Sequence, residues 1–184
     1  MMSLKHAILG FLNYKSMTGY QLKQRFDKSV RYFWNASLSQ IYPTLSQLKE
    51  DGLLTLEVKY QDSSPNAKIY HITDKGREEL RNWLIEPLEP QPHRSAFLIK
   101  IFFGANIDQN LIISQLNQRL ELAESNLAKY QQIRNEITEN HSLKNSFTLF
   151  ESLTVDYGIK SMEAVIAWYR ESIEKIESLK RKEM

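Results

Sequence analysis

Apolar and polar positions alternate in two different rhythms along the first half of the chain, and the changes of rhythm mark its elements. Leu4, Ile8, Leu9, Phe11 and Leu12 recur at helical spacing and predict a helix from about Ser3 to Asn13. A second helix is predicted behind Thr18, with Gln21 at the reciprocal capping position and Tyr20, Leu22 and Phe26 on its apolar side. Ser37 and Gln40 repeat the capping pattern ahead of Leu38, Ile41, Leu45 and Leu48. Gly52 closes this third helix near Asp51, because glycine best tolerates the left-handed position, and Leu48 and Leu53 stand where a Schellman motif would join them. The rhythm then shifts to two: Leu54, Leu56, Val58 and Tyr60 alternate with Thr55, Glu57 and Lys59 as in a half-buried strand. The cluster from Asp62 to Asn66 predicts a turn, Lys68 to Ile72 a second strand, and Thr73 the cap of a helix carrying Leu80, Trp83 and Leu84.

Helix, helix, helix, hairpin, helix is the order of a winged helix-turn-helix, which points to DNA. On the third helix, the face opposite the apolar stripe carries Ser39, Gln40, Pro43 and Gln47, with nothing bulky to hold it away from a major groove. Base readout is expected from Ser39, Gln40 and Gln47, and Tyr42 lies at the edge of the same face. Lys68 on the wing is a candidate phosphate contact, as are Lys5, Lys15, Lys23, Lys49 and Lys59.

Pro87, Pro90 and Pro92 interrupt helix and predict an extended linker. The expected organisation is a winged helix-turn-helix domain over 1–86, a linker over 87–95 and a helical dimerisation domain over 96–184, a mainly α fold. In the last part, Leu116, Leu120, Ala123, Leu127, Tyr130 and Ile137 make one apolar seam. Val155, Ile159, Met162, Ile166, Tyr169, Ile173 and Ile176 make another. A few long helices have little capacity to close a core alone, so the second seam is expected to face a partner chain in a homodimer.

With 184 residues and 42% hydrophobic content the chain can bury one medium core or two small ones. Its formal charge of +2 is slightly asymmetric: thirteen Lys and Arg against ten Asp and Glu over Met1–Ser95, and eleven against twelve beyond. It has no cysteine, which excludes a disulfide framework, a thiolate nucleophile and a zinc ribbon, and fits a cytoplasmic protein. No signal-peptide layout and no apolar run of membrane length is present. The six glycines form no phosphate loop, the four histidines have no ligand-like spacing, and no nucleophile motif occurs, so no enzyme, cofactor or metal site is expected.

The opening LKHAILGFL with TGYQL, the pair Phe33–Trp34, the block QIYPTL with LKEDGLL, and IYHITDKGREEL with Trp83 together resemble the PadR family of transcriptional repressors, in the branch typified by phenolic-acid-responsive regulators. FLIKIFFG, from Phe97 to Gly104, resembles the start of that family's helical second domain. The resemblance implies a winged-helix DNA-binding domain, dimerisation through C-terminal helices, release from an operator on binding a small aromatic or apolar effector, and a phosphate contact at Tyr42. Many relatives carry arginines at the wing turn, where this chain has Pro65, Asn66 and Ala67.

Large aromatics concentrate in segments that the domain order should bring together, which predicts an apolar effector pocket near the domain junction. Trp34, Phe102 and Trp168 are its expected walls, with His93 or Lys100 meeting the carboxylate of a phenolic acid. The other reading of the chain is a winged-helix module that binds protein and lacks sequence-specific DNA binding.

Overall fold

The computed structural model describes residues 2–30, 33–60, 66–88, 94–140 and 146–183. The chain forms two compact units, residues 1–91 and 92–184.

The first unit holds α1 (Met2–Tyr14), β1 (Met17–Thr18), α2 (Gly19–Lys28), α3 (Leu38–Glu50), β2 (Leu54–Lys59), β3 (Ala67–Ile72) and α4 (Asp74–Ile85). Its core gathers Ile8 and Leu9 of α1, Leu22 and Phe26 of α2, Ile41, Leu45 and Leu48 of α3, and Leu54 of β2, all essentially inaccessible. Each contributes roughly 1.5–3 kcal/mol by leaving water. Phe11 meets Phe26 edge to face at 4.9 Å, locking α1 against α2.

The three N-caps predicted from the sequence, Thr18, Ser37 and Thr73, all form. Thr18 accepts from the Gln21 N–H at 3.2 Å while the Gln21 side chain accepts from the Thr18 N–H at 2.9 Å. The end of α3 is a Schellman motif: Gly52 has φ 73°, the Leu53 N–H donates to Leu48 O at 2.9 Å and the Gly52 N–H to Lys49 O at 3.0 Å. This turn also anchors α4, since the Thr73 hydroxyl donates to Gly52 O at 2.9 Å and Lys75 to Asp51 O at 2.8 Å. Gly76 lies so close that a Cβ there would sit 2.3 Å from Leu53 O.

The sheet has the order β1-β3-β2, all antiparallel, with Leu54 opposite Ile72 and Lys59 opposite Ala67. Only Leu54 and Leu56 of β2 reach the core; Val58 and Tyr60 are exposed, because the hairpin runs beyond the helices that would cover it. Leu38 and Leu84, placed on apolar faces by their spacing, are also exposed, and so is Tyr20 on the first turn of α2. Most of the turn from Asp62 to Asn66 lies outside the described residues.

In α1, His6 is buried, stacked face to face on Trp83 of α4 with 4.4 Å between centroids, and its Nε2 lies 3.2 Å from Glu79 Oε1. Lys5 Nζ reaches the same oxygen at 2.6 Å. The Lys5 hydrogen bond, followed by that of His6, holds the Glu79 carboxyl below the usual carboxylate range.

The second unit holds α5 (Ala96–Phe102), a 3-10 turn (Gly104–Asn106), α6 (Gln109–Asn140) and α7 (Ser146–Glu183). Here the structure corrects one expectation. The seam of Val155, Ile159, Met162, Ile166, Tyr169, Ile173 and Ile176 does not face outward; it packs on α6 of the same chain in two apolar clusters. One joins Ile112, Leu116 and Ala123 to Ile166 and Tyr169, the other Ile137 to Val155 and Ile159. Two seams of matching spacing on consecutive helices pair most readily with each other as an antiparallel hairpin. Ion pairs flank the join, Glu124 with Arg170 and Arg134 with Asp156, and a Cβ on Gly158 would stand 2.4 Å from the Tyr130 ring.

What the hairpin leaves uncovered is elsewhere. On α5, Leu98, Ile99 and Phe102 are exposed, Phe102 by 81%, and Phe103 beyond its end is exposed as well. Leu149, Phe150, Leu153 and Tyr157 are exposed at the start of α7.

Candidate nucleic-acid interface

α2 and α3 make the helix-turn-helix, and α3 presents Ser39, Gln40, Tyr42, Pro43 and Gln47 to solvent while Ile41, Leu45 and Leu48 fill the core. Pro43 sits inside the helix without a main-chain N–H, a substitution the solvent face can absorb since the freed Ser39 carbonyl need not be buried.

The polar side chains of this face are already hydrogen-bonded to residues at the two ends of α3. Gln40 Oε1 accepts from the Ser37 N–H at 3.0 Å and from the Ser37 hydroxyl at 3.1 Å, which completes the N-terminal cap. The Ser39 hydroxyl lies 2.7 Å from that of Ser37, and Gln47 Nε2 donates to Asp51 Oδ1 at 3.0 Å. A glutamine reading adenine uses its amide oxygen and nitrogen together. Gln40 has its oxygen and Gln47 its nitrogen committed, so each must exchange a local bond to make that contact.

Tyr42 of α3 lies beside two other elements, α2 and β3. Its ring lies against Gly19, where a Cβ would come within 2.5 Å of Tyr42 Cε1. It also neighbours Tyr70 of β3, whose phenol is pushed up by burial, with Tyr42 adding to the effect. The side chain remains 45% exposed at the first turn of α2, whose capped N-terminus favours anions. Tyr20 is exposed on that same turn, a candidate that spacing alone had assigned to the core.

Among the lysines, Lys5 pairs with Glu79 and Lys23 with Asp27, so both serve the fold. Lys15, Lys49, Lys59 and Lys68 are exposed and make no ion pair among the described residues. Lys68 stands opposite Val58 on the wing hairpin.

Of the expected effector residues, Trp34 belongs to the first unit and Lys100, Phe102 and Trp168 to the second, while His93 lies outside the described residues. Trp168 meets Phe97 edge to face at 6.3 Å, with Arg119 over the Phe97 ring at 3.9 Å. Phe102 pairs instead with Phe103. No group of His, Asp and Glu among the described residues could hold a metal ion.

Residues 8–82 match the transcriptional regulator PadR-like family, and residues 93–177 match the virulence activator alpha C-terminal family. The chain is 31% identical over 186 residues to the probable transcriptional regulator Rv1176c of Mycobacterium tuberculosis, covering 96% of this chain and 98% of that one. It is 32% identical over 130 residues to the negative transcriptional regulator PadR of Bacillus subtilis, covering 70% of this chain and 71% of that one. The chain belongs to the PadR-like family of transcriptional regulators.

Membership in the PadR-like family agrees with the winged helix and the helical second unit, and its members are regulators, not enzymes. The solved structure of B. subtilis PadR with operator DNA is similar over 96% of this chain and 98% of that one, with a TM-score of 0.87 and 25% identity. The same PadR has been solved with p-coumaric acid, similar in fold over 95% of this chain and 98% of that one, with a TM-score of 0.80 and 24% identity. No helix among the described residues is long and apolar enough to cross a membrane.

Proposed function

We propose that the chain is a dimeric repressor that grips operator DNA through α3 and the β2–β3 wing and lets go when a small aromatic or apolar effector binds. The supporting observation is the exposed face of α3, free of acidic groups and, Tyr42 apart, of bulky side chains from Ser39 to Gln47, in a fold that matches a relative solved on its operator. Ser39, Gln40 and Gln47 read bases; Tyr42 and Lys68 hold phosphates, joined by Tyr20, Lys15, Lys49 and Lys59.

The dimer is carried by the second unit. With the Val155–Ile176 seam spent on α6, the surfaces left for a partner are the α5 face of Leu98, Ile99 and Phe102, with Phe103 beside it, and the start of α7 at Phe150, Leu153 and Tyr157. Contiguous exposed apolar groups of this size mark an interaction surface.

Effector release is supported by the B. subtilis relative, a negative regulator solved with p-coumaric acid. Release follows if the effector prefers a dimer geometry whose half-site spacing misfits the duplex. The experiment is a band shift on DNA upstream of the chain's own gene, with and without hydroxycinnamic acids. A shifted band that the acid dissolves supports the full reading; a shifted band indifferent to every phenolic acid removes that effector class and keeps the DNA assignment. Substituting Trp34 or Trp168 by phenylalanine then tests the expected effector residues.

A further inference from the structure

The two glutamines on the outer face of α3 are held by partners of opposite chemistry. Gln40 Oε1 accepts the Ser37 N–H at 3.0 Å, and a main-chain N–H can only donate, so this amide must turn its oxygen to the cap. Gln47 Nε2 donates to Asp51 Oδ1 at 3.0 Å, and a carboxylate can only accept, so this amide must turn its nitrogen to Asp51. What is left for a duplex is opposite in kind. Gln40 offers its –NH2 group and Gln47 its carbonyl oxygen, and neither of these ends makes a hydrogen bond among the described residues.

Both local bonds resist exchange once a duplex displaces water from the face. Turning Gln40 round leaves a main-chain N–H at the helix start without its acceptor, and turning Gln47 round leaves the Asp51 carboxylate without its donor. In the major groove guanine presents two acceptors, N7 and O6, whereas cytosine and adenine each present an exocyclic amino group. The glutamines stand at i and i+7, which places them about 10 Å apart along the helix, or roughly three base-pair steps.

We propose that α3 reads its half-site with a fixed polarity: Gln40 Nε2 donates to guanine, Gln47 Oε1 accepts from the amino group of cytosine or adenine, and Asp51 is the positioning residue that imposes the second choice. Neither glutamine makes the two-ended contact to adenine, because each has one end of its amide spent on its own helix. This polarity rests on the DNA-binding reading above and adds to it the base class that each position takes.

The test is selection from a randomised duplex pool, with sequencing of the bound fraction, for the full chain and its variants. Gln40→Ala and Gln47→Ala locate the base pair that each position contacts, as the one whose preference is lost. Glutamate, which can only accept, then separates the two positions. Gln40→Glu keeps the cap and loses the donor, so a guanine preference of roughly threefold to tenfold should vanish at its base pair. Gln47→Glu keeps an acceptor, so its added charge should weaken all duplexes alike while the preference for an amino-bearing base survives. Asp51→Asn can donate or accept, which frees the Gln47 amide to turn, and should flatten the preference at the Gln47 base pair while leaving that of Gln40 intact. If the unsubstituted chain enriches no sequence, base reading by α3 is overturned altogether. If it enriches one, the polarity alone is overturned, with DNA binding left standing, by any of three results: a base other than guanine at the Gln40 pair or one retained in Gln40→Glu, loss of the amino-bearing base in Gln47→Glu, or an unchanged profile in Asp51→Asn.

Discussion

The aromatic ring of Tyr42 rests on Gly19, at a distance where no other residue's Cβ would fit. This fixes the phenol of the third helix over the capped N-terminus of the second, the place where a backbone phosphate is best received. Gly19→Ala should push the ring aside. Because the ring is half exposed it can swing outward, so stability should fall by only about 1 kcal/mol while affinity falls several-fold for every duplex alike. Tyr42→Phe should reproduce the affinity loss without the stability loss, and anisotropy titrations beside thermal melts would separate the two.

Gln40 closes the α3 cap and is proposed to read bases, and substitutions can divide the two roles. Gln40→Ala removes the reciprocal half of the α3 cap, costing about 1 kcal/mol of stability, and relaxes base preference. Gln40→Glu keeps the cap, since glutamate serves equally at that position, but loses the amide donor. Melts should therefore distinguish the variants while both lose discrimination between operator and scrambled DNA. Retained discrimination in both would remove Gln40 from base readout.

The two apolar surfaces of the second unit should answer differently to a charge. Ile166→Asp places a carboxylate between α6 and α7 and should unfold the hairpin, at a cost of several kcal/mol. Phe102→Asp lies on an exposed face and should preserve helicity while dissociating the dimer. Circular dichroism and sedimentation read the two effects; a folded, dimeric Phe102→Asp protein would move the interface elsewhere.

Acid should loosen the α1–α4 contact. Glu79 titrates below the ordinary carboxylate range in the fold, so the stability it contributes is present above the unfolded pKa and is lost as pH falls through the folded value. Across neutral pH this group should change nothing. Urea midpoints measured from neutral to acid pH should fall less steeply in Glu79→Gln than in the unsubstituted chain.

Much of this was legible in the sequence because it is local. The caps at Thr18 and Ser37, the Schellman glycine and the strand after it depend on residues within a few positions of each other. The pairing of helices is not local, and the sequence leaves the partner of each seam open. The spacing of Val155 to Ile176 establishes a seam, but the same pattern serves an intrachain and an interchain partner, and only the fold shows that α6 takes it. At the interface, the residue types on α3 could be read directly, whereas the Gly19–Tyr42 contact joins residues 23 positions apart and left no periodic trace. The two-residue strand β1 was too short for any alternation to show.

The most direct test of the central claim is fluorescence anisotropy of a duplex from upstream of the chain's own gene, against a scrambled duplex of equal length, across a salt series. A DNA-reading α3 predicts that the natural duplex binds more tightly at every salt concentration, and that log affinity falls linearly with log salt for both. Equal affinity for the two duplexes, or none for either, would contradict it.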